Sequence, residues 1–199
     1  MSLLVETIRT ENGKLLNIVF HNERIIRSLF EVFGLRKETE LEKIIDVPTF
    51  ALKGIYKCRV EYNEKITRIE FLPYIIRSIS SLKVVIDNDI SYPYKYIKRN
   101  NIQRLMEMRG DCDDILIIKK GMVTDSSHAN IVFRDIDNNW VTPSTYLLPG
   151  TRRASLLQKS LINETTITEN DINKYAEVKL INAMIGIDDT EGISVGNII

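Results

Sequence analysis

The sequence predicts a mixed α/β (α+β) protein of two domains, 1–93 and 94–199. Three observations carry that reading. The first half alternates runs of strand formers with turn residues and holds one amphipathic helical pattern. The second half begins its ordered pattern with the apolar run at 115–118, which returns through Lys119-Lys120-Gly121 as a hairpin. Between the halves lies Tyr92-Pro93-Tyr94-Lys95-Tyr96-Ile97-Lys98-Arg99-Asn100, preceded by Val84-Val85-Ile86 and the turn-like Asp87-Asn88-Asp89.

In chain order, Leu3-Leu4-Val5 through Ile8 reads as a strand and Asn12-Gly13 as a hairpin turn. Residues 15–20 read as the returning strand. Ile25, Ile26, Leu29, Phe30 and Phe33 then recur at helical spacing up to Gly34, and His21 and Arg24, three apart, share the start of one face. Residues 55–62 and 66–74 form a meander expected to feed the strand before Lys95, giving a small antiparallel sheet. Lys95 itself is expected at the mouth of a helix marked by Ile97, Leu105 and Met106. In the second half, 122–133 is a strand interrupted by the polar insert Thr124-Asp125-Ser126-Ser127-His128, and Trp140-Val141-Thr142-Pro143 is a short strand. A helix follows over 154–159, then a capped helix over 168–175, a strand from Lys179 into a small-residue turn, and a last strand or tail over 192–199.

Composition limits the classes of function. The chain has 199 residues, 44% hydrophobic and 27% charged, with 27 basic against 27 acidic side chains. That balance gives no electrostatic case for nucleic acid or an anionic membrane as partner. No apolar run suffices to span a bilayer, and the first nine residues lack a signal-peptide layout. Cys58 and Cys112 have no metal-ligand or framework spacing, so a cytoplasmic protein with reduced thiols and no metal is expected.

Some segments suggest chemistry. A lysine after a strand and a turn, with Lys98 and Arg99 beside it, is either one of many surface lysines or is placed to lose its proton and attack a carbonyl. Gly150-Thr151 ahead of a helix brings free backbone N–H groups and the positive dipole end to one spot, an anion site. A polar break such as 124–128 often re-aims side chains into a site, or else forms a plain loop bonding its own backbone. His128 is expected to bond backbone, Tyr92, Tyr94 and Tyr96 to pack, and Lys119-Lys120 to be solvated.

Taken together, these pieces resemble the fold-type IV pyridoxal-phosphate enzymes, the class IV aminotransferases that include aminodeoxychorismate lyase. Glu6-Thr7-Ile8-Arg9 with Asn12-Gly13 is similar to the family's opening hairpin, and His21-x-x-Arg24 to its His-x-x-Arg helix. Lys95 with Arg99 four residues on resembles its lysine segment, especially in the lyases. The run from Val123 through Asp125, His128 and Asn130 to Ile131 resembles its signature. Leu148-Pro149-Gly150-Thr151-Arg152-Arg153 and Ile181-Asn182-Ala183-Met184 resemble its two phosphate turns. Each motif is weak alone; six in order over nearly the whole chain are specific.

The resemblance implies pyridoxal 5'-phosphate as cofactor, with Lys95 carrying its aldehyde and moving protons at the substrate α-carbon. It implies Asp125 as the carboxylate at the ring nitrogen, with Asn130 beside it in the signature. It implies Arg24, Thr151, Arg152, Asn182, Ala183 and Met184 around the phosphate, Thr151, Arg152, Ala183 and Met184 chiefly through main-chain N–H. A β-barrel-like C-terminal domain, a small-molecule amino substrate and a homodimer follow from the same likeness. The chain departs from the family in carrying Asp125 where Glu is usual. It also begins almost inside the opening hairpin, so part of the pocket or dimer surface is expected to be built differently. Three functions stay open: a lyase converting 4-amino-4-deoxychorismate to 4-aminobenzoate and pyruvate, an aminotransferase for branched-chain or D-amino acids, and a non-catalytic homologue. The Lys95–Arg99 spacing, Asn182-Ala183-Met184 and the compact length favour the lyase.

Overall fold

The structure, a computed structural model, describes residues 3–199. The chain packs as two compact units. One holds the residues up to Ile75 together with Tyr94–Lys98; the other holds Ile76–Pro93 and Arg99–Ile199. This division does not coincide with a boundary at 93/94.

The first unit contains β1 (Leu4–Glu11), β2 (Lys14–Leu15), α1 (Ile18–Phe33), α2 (Leu41–Ile44), β3 (Ile55–Tyr62) and β4 (Ile66–Pro73). Its antiparallel sheet has the order β2-β1-β3-β4. Asn12 and Gly13 both take positive φ, 48° and 81°, as the tight hairpin requires. The returning strand is shorter than expected. Asn17 turns left-handed at φ 53° and α1 begins at Ile18, so Ile18, Val19 and Phe20 are helical despite their strand propensity. Tertiary packing decides this. His21, Arg24, Ile25, Ser28 and Leu29 form one buried stripe at helical spacing, while Val19 is left exposed. Gly34 at φ 70° closes α1, and Leu35 N–H reaches back to Leu29 O at 3.0 Å. The core joins Leu4 and Ile8 of β1, Ile25 and Leu29 of α1, and Cys58, Val60 and Tyr62 of β3.

The Lys95 segment differs from expectation. It lies extended along β1: Val5 N–H donates to Lys95 O at 2.9 Å and Ile97 N–H to Leu3 O at 3.0 Å. The helix starts only at Asn100. Lys95 is half-buried and Lys98 exposed. Tyr94 and Tyr96, edge to face with centroids 6.0 Å apart, pack against the core.

The second unit contains β5 (Leu82–Ile86), α3 (Asn100–Glu107), β6 (Asp114–Lys119), β7 (Met122–Ser126), β8 (Asn130–Arg134), β9 (Trp140–Pro143), α4 (Thr151–Gln158), β10 (Asn163–Thr165), β11 (Glu177–Ile181) and β12 (Ile193–Ser194). The strands run β10-β9-β8-β7-β6-β5, with β11 also on β8 and β12 on β11. The sheet is open and branched and does not close into a barrel. β5 does not continue the first sheet's meander. It pairs parallel with β6, Leu82 opposite Asp114 through Ile86 opposite Ile118. Its apolar residues cover both sheet faces, Leu82 and Val84 in one cluster and Val85 in another, as suits a parallel strand. The chain end bonds its other edge, Val84 N–H to Ile199 O at 2.7 Å. The 168–175 segment is a 3-10 turn, Glu169–Lys174, started by a Thr168–Asp171 capping box. Lys119, expected in solvent, is half-buried and donates to Ile90 O at 2.6 Å. No helix among the described residues is long and apolar enough to cross a membrane.

Candidate active site

In the first unit a buried ionic cluster surrounds Arg24. β1 turns Leu4, Glu6, Ile8 and Thr10 to the core at period two, and all are inaccessible. Glu6 Oε1 accepts from Arg24 Nε at 2.8 Å and Oε2 from Arg24 Nη2 at 2.5 Å, a two-point fork. His21 Nδ1 lies 2.5 Å from Oε2. Arg24 is therefore not a solvated helix arginine; it is 7% exposed. Burial pushes the Glu6 carboxyl up, but the charge of Arg24 and the bonds from His21 and Arg24 outweigh it and hold it at about 2. Burial, opposed by Glu6, holds the His21 imidazole below its ordinary value, and the charges of Arg24 and Lys95 lower it further. Lys95 thus lies within electrostatic reach of this cluster.

Both shifts have one sign in pH. A folded-state pKa below the unfolded one gives stability that is present above the unfolded pKa and lost as pH falls. For Glu6 the loss runs from about 4.5 down to about 2. For His21 it begins below 6.5. The difference in unfolding free energy between wild type and Glu6→Gln is expected to shrink between pH 5 and pH 3, by about 2 kcal/mol. Denaturant unfolding at both pH values checks this.

The second unit builds a different set of groups. Asp125 on β7 stands opposite Asn130 on β8 and is buried. Its Oδ2 accepts from the N–H groups of Leu147 at 3.0 Å and Leu148 at 2.9 Å, and its Oδ1 from Asn130 Nδ2 at 2.9 Å. Asn130 Nδ2 also donates to Leu148 O at 2.9 Å. Burial pushes the Asp125 carboxyl up to about 6; the three donors and the charge of Arg153 oppose this without cancelling it.

The Asp125–Asn130 pair seats the turn before α4. A Cβ on Gly150 would lie 1.9 Å from Asn130 Oδ1, so only glycine permits this approach. Gly150→Ala is expected to displace Asn130, destabilise the protein by about 1–3 kcal/mol and weaken anion binding at the turn. Thermal unfolding and phosphate titration measure both effects. Thr151 opens α4 buried, at a helix start whose first N–H groups have no intrahelical acceptor. Arg153 is committed elsewhere, donating to Pro143 O and Glu164 and stacking over Tyr146 at 4.3 Å. Arg152 Cζ is 3.9 Å from where a Gly186 Cβ would sit, so its guanidinium lies against the turn after β11. Asn182 Oδ1 accepts from Met184 N–H at 2.8 Å and Ile185 N–H at 3.1 Å. The Met184 N–H expected at a phosphate is thus engaged by Asn182, which shapes the turn with Ala183 at its tip.

The signature turn between β7 and β8 is held at several points. Ser126 Oγ accepts from His128 N–H at 3.3 Å and Ala129 N–H at 3.1 Å. Arg99 donates to Ser127 O at 3.0 Å and Asn182 Nδ2 to His128 O at 3.3 Å. The His128 ring does not bond backbone: its Nδ1 lies 2.9 Å from buried Asp114 and 3.2 Å from Ser127 Oγ. Burial raises the Asp114 carboxyl, but the His128 and Ser127 partners outweigh it and hold it low.

Glu6 and Asp114 were given no role from sequence. Both carry a readable signal, a carboxylate at a core-facing period-two position among Leu4 and Ile8 or Leu116 and Ile118.

Within the second unit the donor set fits the cofactor that the motifs suggest: a helix start, an arginine and a buried carboxylate. Three of that carboxylate's roughly four lone-pair sites are filled, and its desolvation is the kind that a cationic ring N–H would relieve.

Comparison with known proteins gives the family. The family model Amino-transferase class IV matches residues 81–188. The chain belongs to this family of enzymes. A candidate 4-amino-4-deoxychorismate lyase from Haemophilus somnus 129PT is 35% identical, with TM-score 0.88, 94% of this chain and 98% of that one covered. An uncharacterised protein of Haemophilus influenzae Rd is 42% identical over 186 residues, 92% of this chain and 98% of its own length. A hypothetical aminotransferase from Mycobacterium tuberculosis in its PLP-bound form shares the fold, at TM-score 0.76 and 13% identity over 98% of this chain and 83% of that one.

Proposed function

We propose that the chain is a pyridoxal-phosphate-dependent 4-amino-4-deoxychorismate lyase giving 4-aminobenzoate and pyruvate. The observation that carries the reading is the mutual coverage with the Haemophilus somnus candidate lyase, 94% and 98% at 35% identity. Lys95 would carry the cofactor aldehyde. Arg24, Thr151 and Arg152, with the Asn182-Ala183-Met184 turn, would hold its phosphate, and Asp125 would keep the proton on its ring nitrogen. When bound, the cofactor ring supplies a sink for the electron pair released at the substrate's amine-bearing carbon.

The protein's own part is positioning and proton transfer. Lys95 Nζ takes the proton from the amine-bearing carbon; the C–O bond to the enolpyruvyl group breaks as the substrate ring becomes aromatic. The proton ends on the departing methylene carbon, giving pyruvate. The reading carries with it a homodimer, the commonest closed assembly, acting in the cytoplasm in folate biosynthesis. Light scattering checks the dimer.

The test is release of 4-aminobenzoate from 4-amino-4-deoxychorismate, run beside branched-chain and D-amino acids with a 2-oxo acid. Turnover of the first alone supports the lyase. Amino transfer without 4-aminobenzoate favours the aminotransferase that the family match also accommodates. No turnover and no bound cofactor leave a non-catalytic homologue.

A further inference from the structure

We propose that Glu6 is the positioning residue that presents Arg24 to the cofactor phosphate, a role that rests on the cofactor reading above. Glu6 and Arg24 are brought together from β1 and α1. The carboxylate is inaccessible and meets the guanidinium at two points, 2.8 Å at Nε and 2.5 Å at Nη2. A two-point contact fixes the plane of the guanidinium as well as its place, which a single bond or a lysine ammonium does not do.

The carboxylate is itself fixed. His21, one turn before Arg24 on α1, bonds its Oε2 at 2.5 Å. The long arginine side chain therefore reaches any anion already oriented, and the rotamer entropy it would otherwise lose on binding has been removed by folding. A buried ion pair is a poor way to gain stability, since well-packed apolar residues of the same volume generally do as well or better. Glu6 otherwise occupies a core position between Leu4 and Ile8, where an apolar side chain would serve packing alone. Its carboxylate is explained by what it does to Arg24.

Glu6 touches neither the phosphate nor the reacting atoms in this proposal. Its effect should therefore appear only in ligands that carry a phosphate. The experiment titrates apo protein with pyridoxal 5'-phosphate and with pyridoxal, for wild type, Glu6→Gln and Glu6→Asp, with inorganic phosphate as competitor. Glu6→Gln keeps the size but loses the charge. It is expected to weaken pyridoxal 5'-phosphate about thirtyfold while pyridoxal stays within about twofold. Inorganic phosphate should compete in wild type and fail to compete in this variant. Glu6→Asp keeps the charge but withdraws it by one methylene, and a partial, phosphate-specific loss is expected. If Glu6→Gln does not fold, Glu6→Asp supplies the same ratio.

Equal weakening of both ligands in every folded variant overturns the proposal and leaves Glu6 a structural residue. A wild type that binds both ligands equally shows no phosphate grip and overturns it too. A wild type that binds neither overturns the cofactor reading, and this role with it.

Discussion

Lys95→Ala is expected to lower turnover by about 10²–10⁴-fold and to leave the fold intact. The loss follows from the two tasks given to one amine, holding the cofactor and moving the proton. The fold survives because the segment is held by its backbone. Lys95 O accepts from Val5 N–H and Ile97 N–H donates to Leu3 O, bonds that alanine at 95 keeps. The side chain is only half-buried, so little packing is lost. Lys98→Ala is the control. Lys98 is exposed, and its removal should leave turnover within about twofold, as for most surface substitutions. Steady-state rates and thermal unfolding of both variants check the pair.

Asp125→Asn is expected to damage the fold as well as the chemistry. As the ring-nitrogen partner alone, Asp125 would be replaceable by its amide at a cost in turnover only. The structure shows otherwise. Oδ2 faces two N–H donors, from Leu147 and Leu148, and Oδ1 faces Asn130 Nδ2. An amide NH₂ placed on either side meets donors. Asn130 cannot flip to relieve it without giving up its own bond to Leu148 O. Destabilisation of about 3–5 kcal/mol is expected, the range for breaking a buried, charged hydrogen-bond network.

The pH dependence of this variant has the opposite sign to that of Glu6. The folded-state pKa of Asp125 is raised from 3.8 to about 6, so the native state binds the extra proton between these values. Wild-type stability gains from this group as pH falls through that window, and the gain should vanish in Asp125→Asn. Asp125→Glu tests the geometry. Three donors triangulate the carboxylate at hydrogen-bond distance, so one added methylene overfills the site and is expected to lower both stability and cofactor affinity. A rise in cofactor affinity in this variant would show that the position had lost its fit. Denaturant unfolding at pH 4 and pH 7, with cofactor titration, decides among these outcomes.

Much of this was legible from residue types and spacing. The Asn12-Gly13 turn, the β3–β4 pair and the β6–β7 hairpin follow local propensity and alternation, and they formed as those rules require. What was misread depended on distant partners. Ile18-Val19-Phe20 reads as strand until the stripe from His21 to Leu29 is seen to need a longer helix. β5 reads as part of the first meander because nothing in its own residues tells that β6 and the chain end will pair with it. The Lys95 segment reads as a helix start because Leu105 and Met106 are helical. Its extended form is imposed by β1, some ninety residues earlier.

The same division holds for the site. The types and order of Arg24, Lys95, Asp125, Thr151 and Asn182 could be read. The partners that set their charge and orientation could not. Glu6 for Arg24, and the Leu147 and Leu148 N–H groups for Asp125, are products of tertiary packing. Gly150 shows why. Its need for glycine comes from Asn130, twenty positions away, and not from its backbone angle, φ −74°.

Covalent attachment of pyridoxal 5'-phosphate to Lys95 underlies the whole proposed activity of this class IV chain. Borohydride reduction of the protein mixed with pyridoxal 5'-phosphate, followed by peptide mapping, tests it most directly. A single stable label is expected, on the peptide carrying Tyr94-Lys95-Tyr96, and none on the same peptide from Lys95→Ala. A label on Lys98 or another lysine, or no label on folded protein, would contradict it.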